Sequence, residues 1–492
     1  MNLVLSLLLA AVDCVAGFTY TAVATERYAT LLKPPASTAT TSFGPRCSDA
    51  STLLLSKMIY STYTLAPSST WTNDGQNGQS AYNALWASAN FTWSSTMPFS
   101  TTVSPTPIPS SELVFPPPLP IPSPRRQGCL PHDFIWGVAG SARQIEGALQ
   151  AEGRGPAPKM DEIARHCASR RDRRPVLFAL HFAWTQVLPF GVAGSPVNQP
   201  AIDHYNDVIN TCLEYGITPI VTLWHFNTPL MVDFDNDSIK FANNLAYPLD
   251  GPSNTSDVAA SARYQSMVLG MMGNSIFLGK QIPAEYLETA GVNVTALTPA
   301  QVKRIHGTAD FFSIDPYTAQ LTTAPPGGID GCAADPTNAN WPFCVVFSDT
   351  RTDCWIAGDA GNNNIRIAPE YVRQQLNYLW DIFKPAGGIL ITEFVANEKL
   401  KALDQQRFDL ERSLYYYNFL TETINAIRED GVKVIGALAW SFVDINEFGD
   451  YAQQFGLQTV NRTTFERTYK RSLFDFVDFF QQSRIGAEGD LR

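Results

Sequence analysis

The chain reads as an α/β protein whose parallel strands favour a barrel over an open sheet. Three observations carry that prediction. Short apolar runs recur along the C-terminal part of the chain, amphipathic helical stretches separate them, and polar residues gather just past the C-terminal end of each run. Strands alternating with helices build a parallel sheet. Polar residues at the strand ends stand where a (β/α)-barrel places its chemistry.

Taken in order, Met1 to Val12 is apolar and small residues follow at Ala16-Gly17. Residues 1–17 resemble a secretory signal peptide that lacks a charged n-region, and their apolar core is too short to span a bilayer. No later run is long and apolar enough for a membrane helix. Residues 18–128 are rich in Ser, Thr and Pro and include the stretches Ser104–Pro109 and Pro116–Pro120. That is linker composition, which cannot bury a core. Within it, Cys47 to Trp93 has more Leu, Tyr and Trp and is the part able to hold some structure. Arg125-Arg126 is a candidate processing pair, although two Arg at a domain edge are usually not one.

The globular region is expected over 129–482, with a tail at 483–492. Its strand-like runs are Phe134–Val138, Val176–Leu180, Pro219–Trp224, Phe311–Ile314, Gly388–Ile391 and Val434–Trp440. Helices are expected over Ala201–Tyr215, closed by Gly216, and over Phe408–Glu429, closed by Asp430-Gly431.

Across its 492 residues the chain carries a net charge of −11, which argues against nucleic-acid and anionic-membrane partners. Ten Trp suit sugar faces, though core packing is their commoner use. Of the eight Cys, Cys14 leaves with the signal. Among the rest, Cys332 and Cys344 are close enough to staple one loop in an oxidising compartment. Five Asn-x-Ser/Thr sequons (Asn90, Asn236, Asn254, Asn293, Asn461) fit a secreted glycoprotein. The chain has neither a zinc-binding spacing nor a glycine-rich phosphate loop, so no metal and no cofactor is expected.

Each strand end delivers particular side chains. The first leads into Gln144-Ile145-Glu146-Gly147 and the third into Trp224-His225-Phe226-Asn227. Later ends lead into Asp315-Pro316-Tyr317-Thr318, into Glu393, and into Trp440 through Phe448. Amides, carboxylates, imidazole and indole together suit a ligand crowded with hydroxyls, because hydroxyls need several hydrogen bonds and a sugar's apolar face stacks on Trp. Taken alone, Glu393 reads equally as a solvated acid at a strand end, and Trp440 as core.

In this order the motifs resemble glycoside hydrolase family 1, particularly secreted fungal β-glucosidases. The resemblance rests on Asp133–Ala139 through Gln144–Gly147, Glu152–Pro156, Pro196–Asn198 with Ile202–Asn206, Trp224–Pro229, Ile391-Thr392-Glu393 and Trp440–Phe448. It implies a (β/α)8 TIM-barrel fold and retaining hydrolysis of terminal β-D-glucosyl residues. Glu393 would be the nucleophile, with Tyr317 hydrogen-bonded to it. Gln144, His225, Asn227, Trp440, Glu447 and Phe448 would bind the substrate, a β-glucoside or short β-linked oligosaccharide.

The chain also departs from that family. Its acid/base glutamate lies in an Asn-Glu-Pro motif after the fourth barrel strand, and no Asn-Glu-Pro occurs here. After Leu230 the chain runs through Met231–Asp237 directly into Ser238–Asn243, which looks like the family's fifth strand. A second shortening falls at Cys167–Pro175. The barrel is therefore expected to be incomplete by about one β/α unit, with strands three and five either paired together or left as edges. Asp233, Asp235 and Asp237 read first as linker acids and second as substitutes for the missing acid. The alternative to an active β-glucosidase is a catalytically impaired sugar-binding relative, or a truncated gene product.

Overall fold

The computed structural model describes residues 78–88, 130–141, 144, 177–191, 197–214, 219–222, 245–348, 369–399, 403–447, 453–461 and 467–485, except 132, 252 and 397. The signal-peptide expectation at 1–17 and the tail from 486 lie outside these residues.

The strands are β1 (Ile135–Ser141), β2 (Leu177–His181), β3 (Pro219–Thr222), β4 (Ala246–Pro248), β5 (Phe312–Ile314), β6 (Gln320–Thr323), β7 (Val346–Ser348), β8 (Ile389–Ile391), β9 (Glu398–Lys399), β10 (Val434–Trp440), β11 (Gln453–Gln454), β12 (Gln458–Val460) and β13 (Arg467–Tyr469). The main helices are α1 (Gln79–Ser88), α2 (Gln199–Glu214), α3 (Thr255–Phe277), α4 (Pro369–Phe383), α5 (Leu410–Arg428) and α6 (Arg471–Ile485).

Six strands form one sheet in the order β3-β2-β1-β10-β8-β5. Every pair in it is parallel. The first strand lies beside the last, with Ile135 opposite Gly436 and Ala139 opposite Trp440. That pairing closes a (β/α)-barrel on itself. Among the described residues the arc ends at β3 on one side and β5 on the other. The chain between them, including the expected strand Ser238–Asn243, lies outside the described residues. Among the described residues the architecture is that of an incomplete (β/α)8 barrel.

The sequence builds these strands for a buried environment. Ile389, Leu390 and Ile391 are at most 1% exposed, as are Ala437, Leu438 and Ala439. A parallel strand covered on both faces needs such a continuous apolar run. Two glycines set up β8. A side chain at Gly387 would place its Cβ 2.3 Å from the Asp310 carbonyl oxygen, and Gly388 takes a φ of +104°, a region open mainly to glycine. Around the strands, Phe394, Phe419, Tyr416, Phe476 and Phe480 interlock, with Phe394 and Phe419 stacked at 4.4 Å.

Buried ion pairs fix the loop after β10. Lys470 Nζ lies 2.8 Å from Asp444 Oδ1, which also accepts the Gly456 N–H at 2.7 Å. Fully buried Arg412 pairs with Asp409 at 2.8 Å and donates to the carbonyls of Ala396, Gln454 and Gly456. Asp409 accepts from the backbone N–H and the hydroxyl of Ser472. The segment following β8, the loop following β10 and the start of α6 are thereby tied together.

Two further features bear on sequence expectations. Cys332 and Cys344 form a disulfide. Helix α1 falls within the Ser/Thr/Pro-rich region, where Tyr82 and Leu85 pack with Phe190. Part of the Cys47–Trp93 stretch thus holds structure.

Candidate active site

Four adjacent strands, β1, β10, β8 and β5, present their C-terminal ends side by side. Their register levels the ends. Ile314 pairs with Ile391, and beyond that pair the Thr392 N–H donates to the Ile314 carbonyl at 2.9 Å. Three residues past the end of β8, the Phe394 carbonyl accepts the Trp440 N–H at 3.2 Å. The side chains that follow these strands converge on one buried patch.

Tyr317, which follows β5, donates its hydroxyl to Glu393 Oε2. The Tyr317 backbone is itself held, because the Tyr415 hydroxyl donates to its carbonyl at 2.9 Å. Beside them, Gln144 Nε2 lies 2.9 Å from Glu447 Oε2 and 2.9 Å from the Asn446 carbonyl oxygen. The indole N–H of Trp440 donates to Glu447 Oε1 at 3.3 Å. Glu393, Glu447, Gln144 and Trp440 are all buried. The peptide bond between Trp440 and Ser441 is cis.

Of the eight site residues expected from sequence, the structure thus brings together Gln144, Tyr317, Glu393, Trp440 and Glu447. His225, Asn227 and Phe448 lie outside the described residues, as do Asp233, Asp235 and Asp237. The triplet Asn198-Gln199-Pro200 superficially resembles an acid/base motif carrying Gln. It opens α2, with Asn198 Nδ2 bonded to the Gln186 carbonyl at 2.8 Å and Gln199 Nε2 to Asp203 at 2.9 Å, and does not stand at the end of a fourth strand.

Burial dominates the electrostatics, and neighbouring carboxyl groups add to it. Burial raises Glu393 well above the ordinary carboxylate range, and the charges of Asp315 and Glu447 push the same way, while the Tyr317 hydrogen bond opposes them. Glu447 is pushed up to about 8 by burial and by Asp444, against the hydrogen bonds from Trp440 and Gln144. Asp315 is pushed up to about 6, chiefly by burial. The Tyr317 phenol is driven upward by burial and then by Glu393, so it stays protonated and remains a donor.

The patch has capacity left for a ligand. Gln144 Oε1 is buried and finds no hydrogen-bond partner among the described residues, although both bonds of its amide nitrogen are made. A buried acceptor in that condition can take a hydrogen bond from an incoming hydroxyl. Glu447 beside it is fixed in orientation by two donors, Gln144 and Trp440. Elsewhere, a cavity of about 450 Å³ lies between α3 and α4, lined by Tyr247, Gln265 and Tyr378 among others, and none of the site carboxyls borders it.

Sequence reasoning gave no role to Asp315, Thr392, Tyr415 or Asp444. Asp315 was visible as a second carboxylate two positions before Tyr317. Its bond to Thr392, however, spans 77 residues and appears only when β5 and β8 are set in register.

The family model for Glycosyl hydrolase family 1 matches residues 126–173, 177–237 and 236–484. Its two breaks, at 173–177 and at 236–237, fall in the regions where a shortening was expected from the sequence. The chain is 24% identical over 468 residues to Beta-glucosidase 1B of Phanerodontia chrysosporium, covering 70% of this chain and 84% of that one. It is 23% identical over 483 residues to Beta-glucosidase 34 of Oryza sativa subsp. japonica, covering 72% and 92%. Among solved structures, the fold matches a GH1 beta-glucosidase from the fungus Humicola insolens in complex with glucose, with a TM-score of 0.61, 19% identity and coverage of 72% and 99%. It also matches the beta-glucosidase from Trichoderma harzianum, with a TM-score of 0.60, 20% identity and coverage of 73% and 99%.

Proposed function

The chain belongs to glycosyl hydrolase family 1, and from that membership we propose that it is a retaining, β-glucosidase-type hydrolase of terminal β-D-glucosyl residues. The observation that carries the residue roles is the bond from the Tyr317 hydroxyl to Glu393, made across two neighbouring strand ends.

On this reading Glu393 is the nucleophile. Its ionised carboxylate attacks the anomeric carbon, the glycosidic C–O bond breaks, and the bonding electrons leave on the aglycone oxygen. Water then attacks the anomeric carbon of the glycosyl-enzyme and releases Glu393. Tyr317 donates to the carboxylate and helps keep it ionised in a buried site. Gln144 and Glu447 hold hydroxyls of the glucosyl unit, and Trp440 provides an apolar wall with its N–H locked onto Glu447. His225, Asn227 and Phe448 complete the sugar site.

Proton supply to the leaving group is the weak point of this chain. No Asn-Glu-Pro occurs in the sequence, and the family match breaks at 236–237. General acid help is typically worth about 10²–10⁴-fold in rate. Aglycones that leave as stable anions should therefore react, and those that need a proton should lag. A second reading follows from the same observation: a relative that binds sugar and turns over slowly or not at all.

The test is hydrolysis of p-nitrophenyl β-D-glucoside and of cellobiose, with Glu393→Gln as the control. Release of nitrophenol above the control supports the first reading. No release above it, with glucose still bound, supports the second.

The preferred location is outside the cell. The disulfide Cys332–Cys344 and the exposed sequon residue Asn293 suit an oxidising, glycosylating route, and Met1–Gly17 has the composition of a signal peptide. No described helix is long and apolar enough to cross a membrane.

A further inference from the structure

Resting on the β-glucosidase reading, we infer that Asp315 is a positioning residue that governs when Glu393 carries its charge. The two residues stand at the ends of neighbouring strands, just past the pair Ile314–Ile391. Asp315 Oδ1 accepts the Thr392 hydroxyl at 2.6 Å, and the carboxyl also takes the backbone N–H of Glu393. Both donors lie immediately N-terminal to the Cα from which the Glu393 side chain projects. The carboxyl of Asp315 thus clamps the strand end and sets a second acid against the nucleophile.

Among the described residues, the titratable groups acting on Glu393 include Asp315 and Tyr317 from the end of β5 and Glu447 from the loop after β10. Behind Glu447 stands Asp444, which Lys470 balances at 2.8 Å. Two adjoining buried carboxyls titrate as a unit, because the charge of one opposes the ionisation of the other. Burial pushes the Asp315 carboxyl up to about 6, and the hydrogen bonds from Thr392 and the Glu393 N–H hold back that rise by stabilising the ionised form. Below that pH it is neutral and exerts no repulsion on Glu393. Above it, its charge raises the pH at which Glu393 ionises. The pair then holds close to one negative charge over a wide range, and Asp315 decides how much of it resides on the nucleophile.

The coupling can be read without catalysis. Carboxyl-¹³C NMR titration of the full chain, with the Glu393 signal assigned by its loss in Glu393→Gln, follows the nucleophile directly. Asp315→Asn keeps an acceptor for Thr392 and removes the charge. It should lower the Glu393 midpoint by on the order of one unit or more, whereas Asp315→Glu should keep it high. Thr392→Val, which removes the hydroxyl from Asp315 and so keeps that acid protonated to higher pH, should also lower the Glu393 midpoint. It decides the matter if Asp315→Asn fails to fold. In activity, the acid limb of kcat/KM for 2,4-dinitrophenyl β-glucoside should move down with the midpoint. A Glu393 midpoint unchanged in the folded variants overturns the role of Asp315. A shifted midpoint with no hydrolysis in any variant retains the coupling and overturns the β-glucosidase reading.

Discussion

Replacing Tyr317 with Phe removes one hydroxyl and little else. The ring packs against the main core, and the Tyr415 hydroxyl still holds the Tyr317 carbonyl at 2.9 Å. What disappears is the donor on Glu393 Oε2. That bond opposes burial and the neighbouring acids, so losing it moves Glu393 further upward. A hydrogen bond to a charged group contributes about 1.5–3 kcal/mol. At 1.36 kcal/mol per unit of pKa, the acid limb should rise by about 1–2 units. At a pH well below that limb, kcat/KM should fall by about 10–150-fold, and the deficit should shrink as pH rises. The assay is a pH profile of kcat/KM with 2,4-dinitrophenyl β-D-glucoside, whose leaving group needs no proton. An acid limb in the same place, or a loss of equal size at every pH, would refute the electrostatic role given to Tyr317.

Glu447 is raised from 4.5 to about 8, so its folded form keeps a proton that the unfolded chain has already released. The stability this difference supplies is complete below about 4.5 and is lost as pH rises toward 8, so thermal unfolding should move to lower temperature across that window and Glu447→Gln should flatten the trend. Lys470→Met strands the buried Asp444 charge and should cost about 3–5 kcal/mol in denaturant unfolding. The pair Asp444→Asn with Lys470→Met should recover most of that loss. The disulfide closes a loop with a sequence separation of 12, and replacing both cysteines with Ala should cost about 3 kcal/mol if the chain-entropy account holds.

The barrel strands were legible because buried parallel strands are continuous apolar runs, and Ile389–Ile391 and Val434–Trp440 are such runs. Helix α5 was legible from its amphipathic spacing and its Asp430-Gly431 stop. The small sheet of β4, β6 and β7 was not anticipated, since strands of three or four residues carry too little pattern to read. Helix α1 was hidden by a composition that signals a linker, although Tyr82 and Leu85 find Phe190 as a packing partner. At the site, Glu393, Tyr317, Gln144, Trp440 and Glu447 were each ambiguous alone and were picked out only by the order of motifs along the chain. The links among them were not legible. Gln144 and Glu447 are 303 residues apart, Tyr317 and Glu393 are 76 apart, and only the sheet order makes them neighbours. Asp315 escaped for the same reason, because its meaning comes from a strand that follows much later in the chain.

The central claim is that Glu393 acts as a nucleophile on a glucosyl unit held in this patch. Incubation with 2,4-dinitrophenyl 2-deoxy-2-fluoro-β-D-glucoside, followed by peptide mass spectrometry, tests it directly, because the leaving group departs without general-acid help and the fluorine slows release of the covalent intermediate. One fluoroglucosyl group is expected on the peptide containing Glu393 and none in Glu393→Gln. A label on any other residue, or no label while free glucose still binds, would contradict it.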